Sequence, residues 1–148
     1  MKKDDYVKVY KLWKSIDGFE IKVIDDSEEN ICRFLDRNPN MSVVVVDNNQ
    51  IIGTVLAGHD GRRGFLYHVC VHKDYRCHGT ATKMIDMVLD QMSKEQITKV
   101  SLIAFVDNVI GNSFWSDKGW IKREDVNYYD ISLDDKNDNL IVEEKYVG

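Results

Sequence analysis

Residues Val69 to Ala81, VCVHKDYRCHGTA, set the reading of the whole chain. A β-branched run ends in Arg76-Cys77-His78-Gly79-Thr80-Ala81, and an amphipathic helix starts there at once. A strand that turns through a glycine into a helix N-terminus aims several free backbone N–H groups at one spot. The helix dipole adds about half a positive charge at that spot. Such a corner suits phosphate or pyrophosphate. Arg76 adds a full charge and a fork of donors. On these residues alone two readings stay open: an anion site, or a plain strand-to-helix turn closed by Gly79. The stretch is neither a dinucleotide fingerprint, since G-x-G-x-x-G is absent, nor a P-loop, since no Gly-Lys-Ser/Thr follows.

The helix reading rests on spacing. Ala81, Met84, Ile85, Val88, Leu89 and Met92 form a single apolar stripe, and Lys83, Asp86 and Asp90 lie off it. Thr80 is an acceptable cap, and Gly79 permits close backbone approach.

On these residues the chain resembles the GNAT superfamily of acetyl-CoA-dependent N-acetyltransferases. The family's phosphate motif reads Gln/Arg-x-x-Gly-x-Gly/Ala, which Arg76-Cys77-His78-Gly79-Thr80-Ala81 matches. Its usual approach, Val-His-Pro-Glu-Tyr-Arg, is similar to Val71-His72-Lys73-Asp74-Tyr75-Arg76, with lysine in place of proline. Its late pattern of Asn, Tyr and Gly-Phe/Tyr is similar to Asn108, Trp115 and Gly119-Trp120. The resemblance spans roughly residues 4 to 133, and the small bacterial RimI- and YpeA-like members look nearest.

The resemblance implies an α/β fold built on a mixed, mostly antiparallel central sheet. The sheet would splay between its fourth and fifth strands, with acetyl-CoA in the gap and about four helices around it. It also implies the cofactor contacts. Backbone groups of Val69, Cys70 and Val71 would meet the pantetheine amides. Those of Cys77, Gly79, Ala81 and Thr82 would hold the pyrophosphate, in a stretch that includes Arg76, His78 and Thr80. The Asn108 side chain would reach the pantetheine arm, and Trp115 would wall the acyl pocket.

Composition bounds the remaining possibilities. At 148 residues the chain is read as one domain, residues 1–148, able to bury a full core. Its longest apolar run, Leu102 to Val106, falls far short of a membrane span, and MKKDDYVKVYKLW lacks the apolar stretch of a signal peptide. A cytoplasmic protein without a membrane partner is expected. A net charge of −5 argues against a nucleic-acid partner and suits a cationic amine. Cys32, Cys70 and Cys77 are odd in number and lack CxxC spacing, and the four histidines show no metal spacing, so neither a disulfide framework nor a metal is expected.

The rest of the chain reads as follows. A first helix covers roughly residues 4 to 15, and almost no chain precedes it, so the family's first strand is missing or reduced. A second helix starts at Ser27 and ends at Asn38-Pro39-Asn40. Between them Glu20, Asp25 and Asp26 read as solvated charges, with contact to a cationic acceptor as the alternative. Met41 to Val46 and Gln50 to Gly58 are strands joined by the Asp47-Asn48-Asn49 turn. His59 to Gly64 is a hairpin tip and Phe65 to Val71 a third strand. Lys99 to Phe105 is a buried strand, Gly111 to Asp117 a short helix closed by Gly119, and Trp120 to Leu133 a final pair of extended segments. From about Asp134 a tail is expected to be loose or only partly packed.

Amide formation from a thioester needs an amine stripped of its proton, a stabilised oxyanion and a leaving thiolate. The family's usual acid is the late-motif tyrosine, where this chain has Trp115, whose indole N–H is not a usable acid. Alternation along Phe65–Val71 sets Phe65, Tyr67, Val69 and Val71 on one face and Leu66, His68 and Cys70 on the other. His68 and Tyr67 are the candidate catalytic residues, with imidazole the better suited to proton transfer near neutrality. Val69 N–H is the candidate donor to the carbonyl oxygen, and Tyr128 and Tyr129 are further rings within possible reach.

The implied function is acetyl-CoA-dependent N-acetylation of a small-molecule or peptide primary amine, by direct transfer in a ternary complex. The alternative is a CoA-binding sensor or regulatory module with little turnover, and a third reading keeps only the fold. A homodimer through the aromatic-rich final segments is compatible with the composition.

Overall fold

The computed structural model of the chain describes residues 1–141. Helix α1 (Tyr6–Ser15) follows a 3-10 turn at Lys3–Asp5. Helix α2 (Glu28–Arg37) starts at Ser27, whose hydroxyl accepts from Asn30 N at 3.3 Å. Val9, Leu12 and Trp13 of α1 and Ile31 and Leu35 of α2 are buried, as their spacing requires. No strand precedes α1 among the described residues.

Strands β1 (Val43–Asp47), β2 (Gln50–His59) and β3 (Gly64–Val71) form an antiparallel meander. Asn48 and Asn49 turn the first corner with φ of 46° and 63°, the left-handed pair of a two-residue hairpin loop. At the second corner Asp60 Oδ1 accepts from the N–H groups of Arg62 and Arg63, each at 2.8 Å. That Gly/Arg-rich tip is therefore a side-chain-held turn. Helix α3 (Thr80–Lys94) then crosses over to β4 (Val100–Leu102), which lies parallel to β3, giving the order β1-β2-β3-β4. The mixed sheet carries helices on both faces. Met84, Ile85, Val88 and Met92 of α3 pack with Val55, Ala57 and Leu66 on one face; α1 and α2 pack with Ile51 and Leu56 on the other.

The β3–β4 pairing positions the site. It covers only Gly64, Phe65 and Leu66 opposite Val100, Ser101 and Leu102. Beyond Leu66, β3 runs on to Val71 with no strand on that side. This is the expected splay, since β3 and β4 hold the places of the fourth and fifth strands once the first is absent.

Helix α4 (Val109–Asp117) ends in a Schellman motif. Gly119, at φ 84°, donates to Ser116 O at 3.0 Å, and Trp120 donates to Trp115 O at 3.0 Å. The accompanying apolar contact is Trp115 against Trp120, with ring centroids 5.0 Å apart.

Two extended readings are corrected. The strand expected over Lys99 to Phe105 is only Val100–Leu102, because the splay removes its ladder partner; Phe105 is 61% exposed. The pair of extended segments expected over Trp120 to Leu133 forms no strand. Among the described residues 121–133 make no backbone hydrogen bond, and Ile121, Tyr129 and Leu133 are exposed. Alternation makes a strand only where an edge is available to pair with it. Of the tail, Leu140 bridges antiparallel to Lys22, with Ile141 N donating to Ile21 O at 2.9 Å; residues 142–148 lie outside the described residues. No helix among the described residues is long and apolar enough to cross a membrane.

Candidate active site

The corner between β3 and α3 is built from main chain. A 3-10 turn at Lys73–Tyr75 follows β3, and the Tyr75 hydroxyl anchors it on Asp47 Oδ2 at 2.7 Å. Cys77 and Gly79 take φ of 65° and 75°, which brings Gly79 to the cap position of α3. A Cβ on Gly79 would meet nothing within 4 Å, so its φ, not crowding inside the fold, is what calls for glycine. No side chain caps α3. Among the described residues the backbone N–H groups from Cys77 to Thr82 make no hydrogen bond of ordinary geometry. A run of unpaired donors at a helix N-terminus, with left-handed residues interleaved, is an anion-binding concavity. Arg76 sits beside it and donates from Nε to Val71 O at 3.1 Å, leaving its terminal guanidinium nitrogens without a protein partner among the described residues. A shallow pocket lined by Thr82, Ile85, Phe114, Lys118 and Trp120 opens between α3 and α4.

Strand β3 carries a bulge in its pairing with β2. Thr54 pairs with Cys70 and Leu56 with Tyr67, so β3 holds one more residue than β2 over this stretch, and His68 and Val69 have no partner in the register. His68 takes a φ of 50°, in the left-handed region. The expected alternation is corrected here, because an extra residue resets the two-residue period. Tyr67 packs on Phe34 of the α2 side, and His68 packs on Trp13 and Phe19 of the α1 side, so both face the same way. Val69 and Val71 join Leu66 on the α3 side, and Cys70 joins the α1 side.

His68 is the chemically best-equipped group at this edge. Its Nε2 lies 2.6 Å from Asp26 Oδ1, and its ring centroid is 4.9 Å from Trp13 and 4.8 Å from Phe19. Its side chain is 24% exposed. Asp26 is a correction to the sequence reading. Far from being a solvated charge, it is 4% exposed, and its Oδ2 accepts from Lys22 N at 2.7 Å. No motif marks Asp26; it is brought to His68 only by the path of the α1–α2 connection. Glu20 and Asp25 do stay at the surface.

Tyr67 is 46% exposed, and burial, with Tyr128 and Asp25 adding to it, pushes its phenol up from the ordinary value. That direction favours the protonated phenol. Asn108 caps α4, its Oδ1 accepting from Gly111 N at 3.0 Å, which leaves its amide NH₂ as the group able to donate outward. Trp115 is half-buried between Phe114 and Trp120. Burial pushes the Cys70 thiol up to about 12, while Cys77 is exposed. Among the described residues no three His, Cys, Asp or Glu side chains converge as a metal site would need.

Known proteins share this fold. The model of the acetyltransferase (GNAT) family matches residues 6–120. An acetyltransferase of Pectobacterium atrosepticum is 33% identical over 112 residues, 74% of this chain and 78% of its own length. The NatC complex solved with Gag peptide and CoA superposes with a TM-score of 0.68 at 25% identity, covering 81% of this chain and 79% of that one. The PaiA N-acetyltransferase of Thermoplasma acidophilum, solved with coenzyme A, superposes with a TM-score of 0.72 at 15% identity, over 86% of this chain and 89% of that one. With its splayed sheet, its main-chain anion corner and a family match over most of its length, the chain belongs to the GNAT family of acetyl-CoA-dependent N-acetyltransferases.

Proposed function

We propose that acetyl-CoA lies along the open edge of β3 and that the acetyl group passes directly to a primary amine in a ternary complex. The observation that carries this is the row of unpaired N–H groups from Cys77 to Thr82 beside a strand edge with no neighbour. Backbone groups of Val69, Cys70 and Val71 meet the pantetheine amides. The N–H groups of Cys77, Gly79, Ala81 and Thr82 and the Arg76 guanidinium hold the pyrophosphate, with His78 and Thr80 completing the corner. Asn108 offers its amide NH₂ to the pantetheine arm, and Trp115 walls the acyl end. When bound, acetyl-CoA supplies an acetyl group activated as a thioester.

The chain's own residues do the rest. Val69 N–H, freed from the β2 ladder by the bulge, points its donor at the carbonyl oxygen. His68 takes the amine proton, directly or through one water. Trp115 supplies no acid, and none is required, since a thiol of ordinary pKa near 8.5 leaves readily as thiolate. The acceptor is a cationic amine. Glu20 and Asp25 stay exposed on the same α1–α2 connection that carries Asp26 to His68, and negative side chains there suit a cationic group. A peptide N-terminus is the second acceptor class, by likeness to the NatC complex bound to a peptide.

The test is release of free CoA thiol from acetyl-CoA with spermidine, lysine methyl ester and an alanine-initiated tetrapeptide as probes. Release that needs an amine, fastest with the multiply charged probes, is the expected outcome. Acetyl-CoA binding without amine-dependent release from any probe would favour the sensor alternative.

A further inference from the structure

We propose that Asp26 is a positioning residue that decides which nitrogen of His68 is free to take a proton. The inference rests on the reading of His68 as the base and deepens it. Every oxygen of Asp26 is committed. Oδ1 faces His68 Nε2 at 2.6 Å, Oδ2 accepts from Lys22 N at 2.7 Å, and the main-chain oxygen accepts from the Tyr6 hydroxyl at 2.7 Å. An ionised carboxylate only accepts, so the His68 contact keeps a proton on Nε2. The lone pair then sits on Nδ1, which makes no hydrogen bond among the described residues. His68 holds a φ of 50°, a left-handed backbone that a side chain with a Cβ rarely adopts. That conformation turns His68 onto the same face as Tyr67 and brings it to a buried carboxylate.

The consequence is chemical. As one N–H bond of the ammonium breaks, an Nδ1–H bond forms, and the electron pair left on nitrogen makes the C–N bond to the carbonyl carbon as the C–S bond breaks; the second proton that nitrogen sheds in becoming an amide leaves to water. His68 is then an imidazolium with both nitrogens protonated. The Asp26 charge stabilises it without accepting the proton, and Nδ1 later returns that proton to the thiolate or to water. Asp26 touches no reacting atom and acts only through His68.

Asp26→Asn tests this through its own geometry. Lys22 N–H still needs an acceptor, so the amide oxygen takes the place of Oδ2 and the amide NH₂ turns to His68 Nε2. Nε2 must then accept, the proton moves to Nδ1, and the free lone pair there is lost. The readouts are long-range ¹H–¹⁵N spectra of the neutral imidazole in full-length protein, acetyl-CoA titration calorimetry, and thiol release with the best amine of the three probes. The wild type should show the Nε2–H form and Asp26→Asn the Nδ1–H form. Acetyl-CoA affinity should be unchanged, and kcat should fall about 100-fold. His68→Gln should fall as far, with no further loss in the double variant. An Nδ1–H form in the wild type, a folded Asp26→Asn variant with unchanged kcat, or an unchanged kcat in His68→Gln would each overturn the proposal. The wild-type spectrum stands even where Asp26→Asn fails to fold. Absence of acetyl-CoA binding in the wild type would instead strike the transferase reading of the site.

Discussion

Cys70 and Cys77 lie on the same stretch of chain and differ in everything that governs thiol chemistry. Cys70 is half-buried against the α1-side core, where burial pushes its thiol up to about 12; Cys77 is exposed in the corner before α3. At pH 8.5 iodoacetamide should therefore alkylate Cys77 and leave Cys70 intact, read by peptide mass mapping. Saturating acetyl-CoA should slow the Cys77 reaction. Cys70 modified at a rate matching Cys77 would contradict the burial described for it. Residue-scale chemistry was unevenly legible in the sequence. Arg76, Gly79 and His68 stood out because their types carry specific chemistry at a strand or helix end. Asp26 did not, because a carboxylate in a charged connection looks the same whether it is solvated or folded under a ring.

Among the elements, α3 and the Schellman end of α4 follow the sequence most closely. The stripe from Ala81 to Met92 buries Met84, Ile85, Val88 and Met92, and Gly119 takes the left-handed position that a helix end of this kind demands. Nothing lies within 4 Å of a Cβ placed on Gly119, so only its φ of 84° opposes a side chain there. Gly119→Ala should lower unfolding free energy by about 1–2 kcal/mol in urea titrations. An unchanged midpoint would mean the α4 end is formed differently. The β3 bulge is not legible at this scale. Period-two reasoning gives Tyr67 and His68 opposite faces, and one inserted residue gives them the same face. Whether a residue is inserted depends on the register with β2, which no pattern within β3 encodes.

For the whole molecule, the sheet works as a meander that supplies one long strand, followed by a crossover that returns too short a partner to cover it. The order β1-β2-β3-β4 and the three-residue β3–β4 pairing leave an edge open beside a helix N-terminus, and that conjunction is what a phosphate-bearing acyl donor needs. The layering is legible through the family resemblance carried by Arg76–Ala81 and by Asn108, Trp115 and Gly119-Trp120. The final extended segments are not legible in the sequence, because their pairing depends on an edge elsewhere in the fold. This conjunction is the proposed seat of acetyl-CoA. Isothermal titration of the full chain with acetyl-CoA, with Arg76→Ala alongside, tests it most directly. Saturable micromolar binding is expected, weakened about tenfold or more in Arg76→Ala, equivalent to about 1.4 kcal/mol. No saturable binding by the wild type, or equal affinity in the two proteins, would contradict it.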